Sequence, residues 1–364
     1  FRAPWLNQDV PGLVDRVVCR SRLAEHGLAD AQETAPSRID ALFEGRFEFN
    51  AETHCLPDPI DWLVNPSRDL EWHILLHKFY YAVGLGMAFE RSGDARYLDR
   101  WCRLISSWME VTPLGFIAAD VTGRRVQNWI YSYYHFVTHA KRDTKGLIEP
   151  VFHRRFLHSI HDQVEFLCEN LTPKRNHRTL ELYAIFLAGI VFPEMQRSAH
   201  WRRFALEQIA LNMAADLLPD GVHCEMSTDY HHLVVKNYLN VRHLAEGNGV
   251  FVPRVFDEAL EKALTFSMHV HRPDGIVPSF SDGDAHSYLD LLAQGAELFA
   301  RADMQYVATR GQCGNPPEER MAHFPDSGYT VIRDAWGTAA AEFAQAQHLV
   351  FDAGPLGEGN HGHF

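Results

Sequence analysis

Between about residue 68 and residue 305, apolar side chains recur at three- and four-residue spacing and are punctuated by Gly, Pro or Asp, which predicts a run of amphipathic helices. The first is expected from Leu70 to Phe89, stopping at Ser92-Gly93-Asp94, and the second from Tyr97 to Val111. Further helices are expected to start near Arg125, Pro150, Asn176, His200, Tyr230, Arg254 and His286. Connections this short make successive helices antiparallel neighbours. Nine helices of similar length joined as hairpins predict a curved stack or closed toroid of helix pairs, with inner helices apolar nearly all round and outer ones amphipathic. The stretch LELYAIFLAGIVF, Leu180 to Phe192, reads as an inner helix.

After about residue 305 the period changes. DSGYTVIRDAW and QHLVFDAGPLG are β-branched and aromatic runs bounded by Gly, Pro and Asp, as antiparallel strands are. Two or three strands cannot bury a sheet face alone. The chain is therefore expected to enter an all-β domain near Phe324 and to end before that domain is complete. On this reading His361 and His363, in the closing GEGNHGHF, lie on a strand or its rim and point the same way. Such a pair can hold a metal or place one imidazole in a cleft, although two ligands specify no metal and chance pairs are common among 22 histidines.

Alternating helix direction puts the N-terminal ends of every second helix on one rim, and the unusual polar residues collect at those ends. Arg68, Trp72 and His73 mark the first helix, and Arg124, Arg125, Asn128 and Trp129 the third. The fifth opens with Lys174-Arg175-Asn176-His177-Arg178. His223, Glu225, Asp229, Tyr230, His231 and His232 surround the start of the seventh, and Ser281-Asp282-Gly283-Asp284 precedes the ninth. Cations, amide donors and flat aromatic faces, with the partial positive charge of helix N-termini, suit an acidic sugar. Each residue also has a plainer role open to it. Asn176 suits an N-cap, Tyr230 and His231 a satisfied core position, Asp282 and Asp284 a turn, Trp72 and Trp129 core packing, and Arg124-Arg125 a solvated helix start.

The net charge of −13 argues against a nucleic-acid partner, which needs a basic surface. No run approaches the roughly 18 apolar residues of a membrane-spanning helix. Six cysteines without a CxxC pair read as mostly buried thiols. The chain opens on Phe1 without a signal peptide, so both termini are expected to be trimmed.

With these segments assembled, the sequence resembles the heparinase II/III-like polysaccharide lyases, which act on heparan sulfate or alginate. The resemblance is carried in order by NPSRDLEWHILLHKF, NHRTLELYAIFLAG, DGVHCEMSTDYHHLV, SFSDGD, DSGYTVIRD and FDAGPLGEGNHGHF. It implies an N-terminal (α/α) toroid followed by an antiparallel β-sandwich, with an N-terminal segment over 1–64 packing on the toroid, the toroid over 65–310 and the incomplete β-sandwich over 320–364. It matches the family's catalytic Asn or Asn-His pair to Asn176 and His177, its catalytic tyrosine to Tyr230, and the first, catalytic histidine of its HxH motif to His361. In some members the second histidine of that motif is a structural zinc ligand, which matches His363, while the remaining ligands would lie beyond Phe364. Arg68, Trp72, Arg125, Asn128, Trp129, Arg178, Glu225, His231, Asp282 and Asp284 are expected to contact an acidic polysaccharide. A periplasmic or secreted address goes with the resemblance.

The chemistry follows from the residue types. β-Elimination removes the C5 proton of a uronate, and neutralising the adjacent carboxylate lets charge spread into it as the proton leaves. Asn176, helped by an arginine or His177, suits that task, and no cofactor is required. Tyrosine, with an ordinary pKa of about 10, suits protonation of the leaving oxygen. Tyr230 could also serve as base if proton and leaving group share a face of the sugar, with His177 or His361 as base for the opposite geometry. A glycoside hydrolase would instead need two carboxylates flanking the bond, for which Asp282, Asp284 and Glu225 are candidates. A non-catalytic polysaccharide-binding protein is the third reading.

Overall fold

The computed structural model describes residues 33–139 and 148–357, so His361 and His363 lie outside the described residues. The chain divides into two compact units, one of Phe1–Thr172 with Leu180–Leu206, the other of Pro173–Thr179 with Glu207–Phe364.

Among the described residues the first unit opens with the short helix α1 (Pro36–Ala41) and a β-hairpin that the sequence pattern did not predict, β1 (Arg46–Phe49) paired with β2 (Glu52–Cys55). Helices α2 (Leu70–Lys78), α3 (Tyr80–Ser92), α4 (Ala95–Val111), α5 (Ala119–His139) and α6 (Pro150–Glu169) follow. The helix α4 shows why the periodicity was legible: Asp94 caps it by accepting from Arg96 N at 3.0 Å, and Leu98, Trp101, Ile105 and Trp108 form one buried stripe. The helix α7 (Arg175–Val191) starts in the second unit and ends in the first, where Leu182 to Ala188 are buried without interruption, as an inner helix requires.

The helix expected from Leu70 to Phe89 is two helices. Phe79 interrupts it with a left-handed backbone, φ 60°, an unusual conformation for a bulky residue. Packing supplies the compensation: the Phe79 ring is buried, stacked on Trp62 at 5.3 Å and edge-on to Trp129 at 5.5 Å. Three carbonyls freed at the end of α2 are taken by side chains. Tyr81 OH donates to Leu76 O at 2.9 Å, Arg125 Nη1 to His77 O at 3.4 Å, and Asn128 Nδ2 to Lys78 O at 2.7 Å.

The second unit holds the latter half of α8 (Ser198–Asp216), then α9 (Thr228–Gly247), α10 (Arg254–Val270), α11 (Leu289–Phe299) and α12 (Ala302–Ala308). A three-stranded antiparallel sheet follows, β3 (Met321–Phe324), β4 (Tyr329–Arg333) and β5 (His348–Asp352), with helix α13 (Ala340–Gln345) between the last two. The predicted strand runs became β4 and β5, whereas β3 was not anticipated. The sheet packs Phe324, Tyr329 and Val331 against Val222, Met226, Phe266, Val270 and Val277. Polar anchors fix it to the segment before α9: Asp220 Oδ2 accepts from Ser327 N at 2.8 Å, and Tyr329 OH donates to Met226 O at 2.9 Å. Gly357 lies so close to the Glu225 carbonyl that a side chain there would collide with it.

Candidate active site

The second unit brings together the start of α7, the start of α9 and the loop before α11, three of the expected rim positions. The first turn of α9 organises them. Ser227 is its N-cap, with Oγ accepting from Tyr230 N at 3.1 Å. Four successive side chains then hold the loop of residues 278–288. Ser227 Oγ donates to Asp282 O, and Thr228 Oγ1 donates to Pro278 O while accepting from Phe280 N at 3.2 Å. Asp229 accepts from Asp284 N at 3.4 Å, from Tyr288 OH, and from His286 Nδ1 at 3.3 Å when that nitrogen carries its proton. Tyr230 OH donates to Asp282 Oδ2 at 2.8 Å. Gly283 fits against Asp229, where a Cβ would sit 2.5 Å from Asp229 Cβ, and its φ of 111° is open to glycine.

Asn176 stands on the first turn of α7. Arg175 precedes it with φ 79°, its N–H bonded to Asp216 Oδ2 at 2.7 Å, and Asn176 Nδ2 donates to Glu225 Oε2 at 2.7 Å. Glu225 is buried, and its Oε1 has no hydrogen-bond partner among the described residues. His223 Nδ1 lies 4.0 Å from Glu225 Oε2, but burial, with smaller contributions from His231 and Arg175, lowers the His223 pKa to about 3 and keeps it neutral at pH 7. The Asn176 amide is therefore oriented by a carboxylate. That fixes which end carries the N–H groups and leaves the second N–H and Oδ1 for a ligand.

Tyr230 is half-buried. Desolvation first, then the bond to Asp282 and the charges of Asp282, Glu225 and Asp229, hold its phenol well above the ordinary tyrosine pKa. The phenol is a proton donor across the neutral range. Glu225 thus bonds Asn176 and is also felt electrostatically at Tyr230, which links the two groups.

The remaining expected site residues divide by exposure. His177 and Asp284 are exposed, and Arg178 is half-buried with Nη2 donating to Gln208 Oε1 at 2.6 Å. Arg68, in the first unit, is exposed. Five expectations are corrected by burial. Trp72 is fully buried with Nε1 donating to Glu52 O at 3.0 Å, and Trp129 is fully buried in the aromatic cluster around Phe79. Arg125 and Asn128 bond the broken helix, and Arg125 also donates to Gln163 Oε1 at 2.7 Å and lies 4.1 Å over Trp108. His231, fully buried, accepts from His223 N at 3.3 Å, lies 3.1 Å from Ala263 O, and has its pKa lowered to about 4, mainly by desolvation. All five side chains are buried in the interior, where a sugar cannot reach them. Glu225, equally buried, orients Asn176. The clamping roles of Ser227, Thr228 and Tyr288 were not anticipated, although Ser-Thr-Asp before a helical run is a start signal that pointed to the turn.

Among the described residues no group of three or more His, Cys, Asp or Glu side chains is arranged to hold a metal ion, and no helix is long and apolar enough to cross a membrane.

A chain of helical hairpins followed by an antiparallel sheet has the fold class of solved heparan sulfate lyases. Its fold matches the crystal structure of heparan sulfate lyase from Pedobacter heparinus at a TM-score of 0.74 and 22% identity, over 95% of this chain and 56% of that one. It matches the crystal structure of a heparinase III at a TM-score of 0.79 and 21% identity, over 94% and 56%. Residues 20–306 match the family model described as "Heparinase II/III N-terminus", and the chain belongs to that family. Its sequence is 25% identical over 322 residues to the heparin-sulfate lyase of Bacteroides stercoris, covering 82% of this chain and 47% of the relative. It is 25% identical over 313 residues to that of Pedobacter heparinus, covering 82% and 46%. The chain spans about half the length of these curated relatives.

Proposed function

We propose that the protein of which this chain is part cleaves a uronate-containing polysaccharide by β-elimination, leaving an unsaturated uronate at the new end. The observation that carries the reading is the pairing of an oriented amide, Asn176 on Glu225, with a protonated phenol, Tyr230 on Asp282, on two adjoining helix starts. The free N–H of Asn176 binds the uronate carboxylate and stabilises the charge that develops as C5 loses its proton. Tyr230 protonates the glycosidic oxygen as the C4–O bond breaks. His177, exposed on the same turn as Asn176, or His361, which the family resemblance matches to a catalytic histidine, serves as base when proton and leaving group lie on opposite faces. An address outside the cytoplasm goes with this reading, because a polymer of this kind is met there.

The hydrolase reading loses ground to the same contacts. Glu225 is buried on Asn176 and Asp282 is engaged by Tyr230, so two of the three candidate carboxylates are not arranged as a flanking acid and base.

The test uses full-length protein with a panel of heparan sulfate, hyaluronan, alginate and other uronate polymers, following the near-ultraviolet absorbance of the unsaturated product. A rise with one polymer that disappears in Tyr230→Phe and Asn176→Ala supports the reading. Reducing ends formed without that absorbance would replace it with hydrolysis.

A further inference from the structure

We propose that Asp282 acts through Tyr230 as a positioning and proton-holding residue: it accepts the phenolic proton as Tyr230 takes a proton from the sugar, and returns it as Tyr230 protonates the leaving oxygen. This deepens the lyase reading of the same site and rests on it.

The Asp282 carboxylate is placed by its own loop and by α9. Ser227 Oγ holds its carbonyl, and Gly283 N donates to Oδ1 at 2.9 Å, while Oδ2 accepts the Tyr230 hydroxyl at 2.8 Å. Tyr230 donates in that bond, and a hydroxyl oxygen carries two lone pairs, one of which the relay uses for the incoming proton. Among the described residues the charges that raise the phenol are Asp282 on the loop, Glu225 before the helix and Asp229 on the same turn, the last bonded to Tyr288 and paired with His286. Such surroundings make a free phenolate scarce near neutral pH, and a neutral phenol alone is a poor base. A carboxylate on the hydroxyl removes that difficulty, because one proton leaves the oxygen as the other arrives.

The steps balance. The C5–H proton passes to Tyr230 Oη while the Oη–H proton passes to Asp282 Oδ2. The C5–H electron pair becomes the C4=C5 double bond, and the C4–O4 pair leaves on the glycosidic oxygen. That oxygen takes a proton from Tyr230, which recovers one from Asp282, so both side chains end as they began.

The experiment compares full-length wild type with Asp282→Asn, Asp282→Glu and Tyr230→Phe on the polymer that the wild type cleaves. For Asp282→Asn the expected result is a kcat lower by about a hundred- to ten-thousand-fold with KM within a few-fold. Its residual rate climbs with pH as phenolate forms, and Asp282→Glu recovers part of the loss. The tyrosinate difference spectrum against Tyr230→Phe places the titration of Tyr230 at lower pH in Asp282→Asn than in wild type. A kcat within a few-fold of wild type overturns the relay. So does a loss whose pH profile parallels wild type with the Tyr230 titration unmoved, since that is what mere support of the loop produces. Absence of elimination by the wild type removes the lyase reading and the relay together, whereas elimination by Asp282→Asn within a few-fold of the wild-type rate removes the relay alone.

Discussion

Asn128 and Arg125 carry the donors that an acidic sugar would attract, and both direct them to carbonyls at the break between α2 and α3. Asn128→Ala leaves the Lys78 carbonyl without its side-chain donor, and an unsatisfied buried polar group costs about 1–3 kcal/mol. The expected outcome is a loss of stability of that order in urea unfolding with KM unchanged. A raised KM at unchanged stability would restore the substrate role. Residue type was readable from sequence here, but the decisive fact was not. Nothing local to Arg125 or Asn128 tells that a helix some fifty positions earlier ends at Lys78 and offers carbonyls. For Asn176 and Tyr230 the sequence placed both at helix starts. It left Glu225 and Asp282 among substrate contacts because the bonds joining them to Asn176 and Tyr230 bridge 49 and 52 residues.

At the scale of elements, the helices were legible wherever a buried stripe repeats, as on α4, and where a cap or proline marks the start, as at Ser227 and Pro150. The break at Phe79 has no such mark: a left-handed phenylalanine is held by rings from distant segments, which periodicity does not register. The third helix starts at Ala119, well before Arg125, because its first turns carry few apolar cues, and that shift takes Arg125 off the helix end. If Asp282 acts as proposed, the loop before α11 is the element on which the chemistry depends most. In Gly283→Ala the new methyl meets Asp229 and the backbone φ of 111° disfavours any side chain, so the loop must move and carry Asp282 away from Tyr230. A fall in kcat of about tenfold or more is expected with global stability changed by only about 1–2 kcal/mol. Unchanged kcat would show that the loop position is immaterial.

At the scale of the whole molecule, a set of buried histidines among the described residues is held neutral by desolvation. The His77 and His223 pKa values are lowered to about 3, and those of His153, His231, His269, His271 and His348 to about 4, with desolvation the leading cause in each. In the unfolded chain these side chains titrate near the ordinary value of about 6.5. Between about pH 6.5 and pH 4 the unfolded state therefore binds more protons than the folded one, and stability falls as pH is lowered through that window. Above about pH 7 both states are neutral and the effect vanishes. Thermal unfolding followed against pH should give a midpoint flat from about pH 7 to 8 and declining steeply below about 6.5; a plateau down to about pH 5 would contradict it.

The segment from Asp220 to Tyr230 belongs to two structures at once. Its Asp220 and Met226 anchor the sheet through Ser327 and Tyr329, and its Ser227, Thr228, Asp229 and Tyr230 clamp the loop that bears Asp282. A segment shared in this way opens as one unit, so the amides of Ser327, Tyr230 and Phe280 should exchange with solvent deuterium at a common opening free energy. Tyr329→Phe deletes only the sheet-side hydroxyl, yet it should hasten exchange at Phe280, whose N–H is bonded to Thr228. Damage to the sheet would then be reported on the clamped loop by an amide bonded to neither partner of the deleted contact.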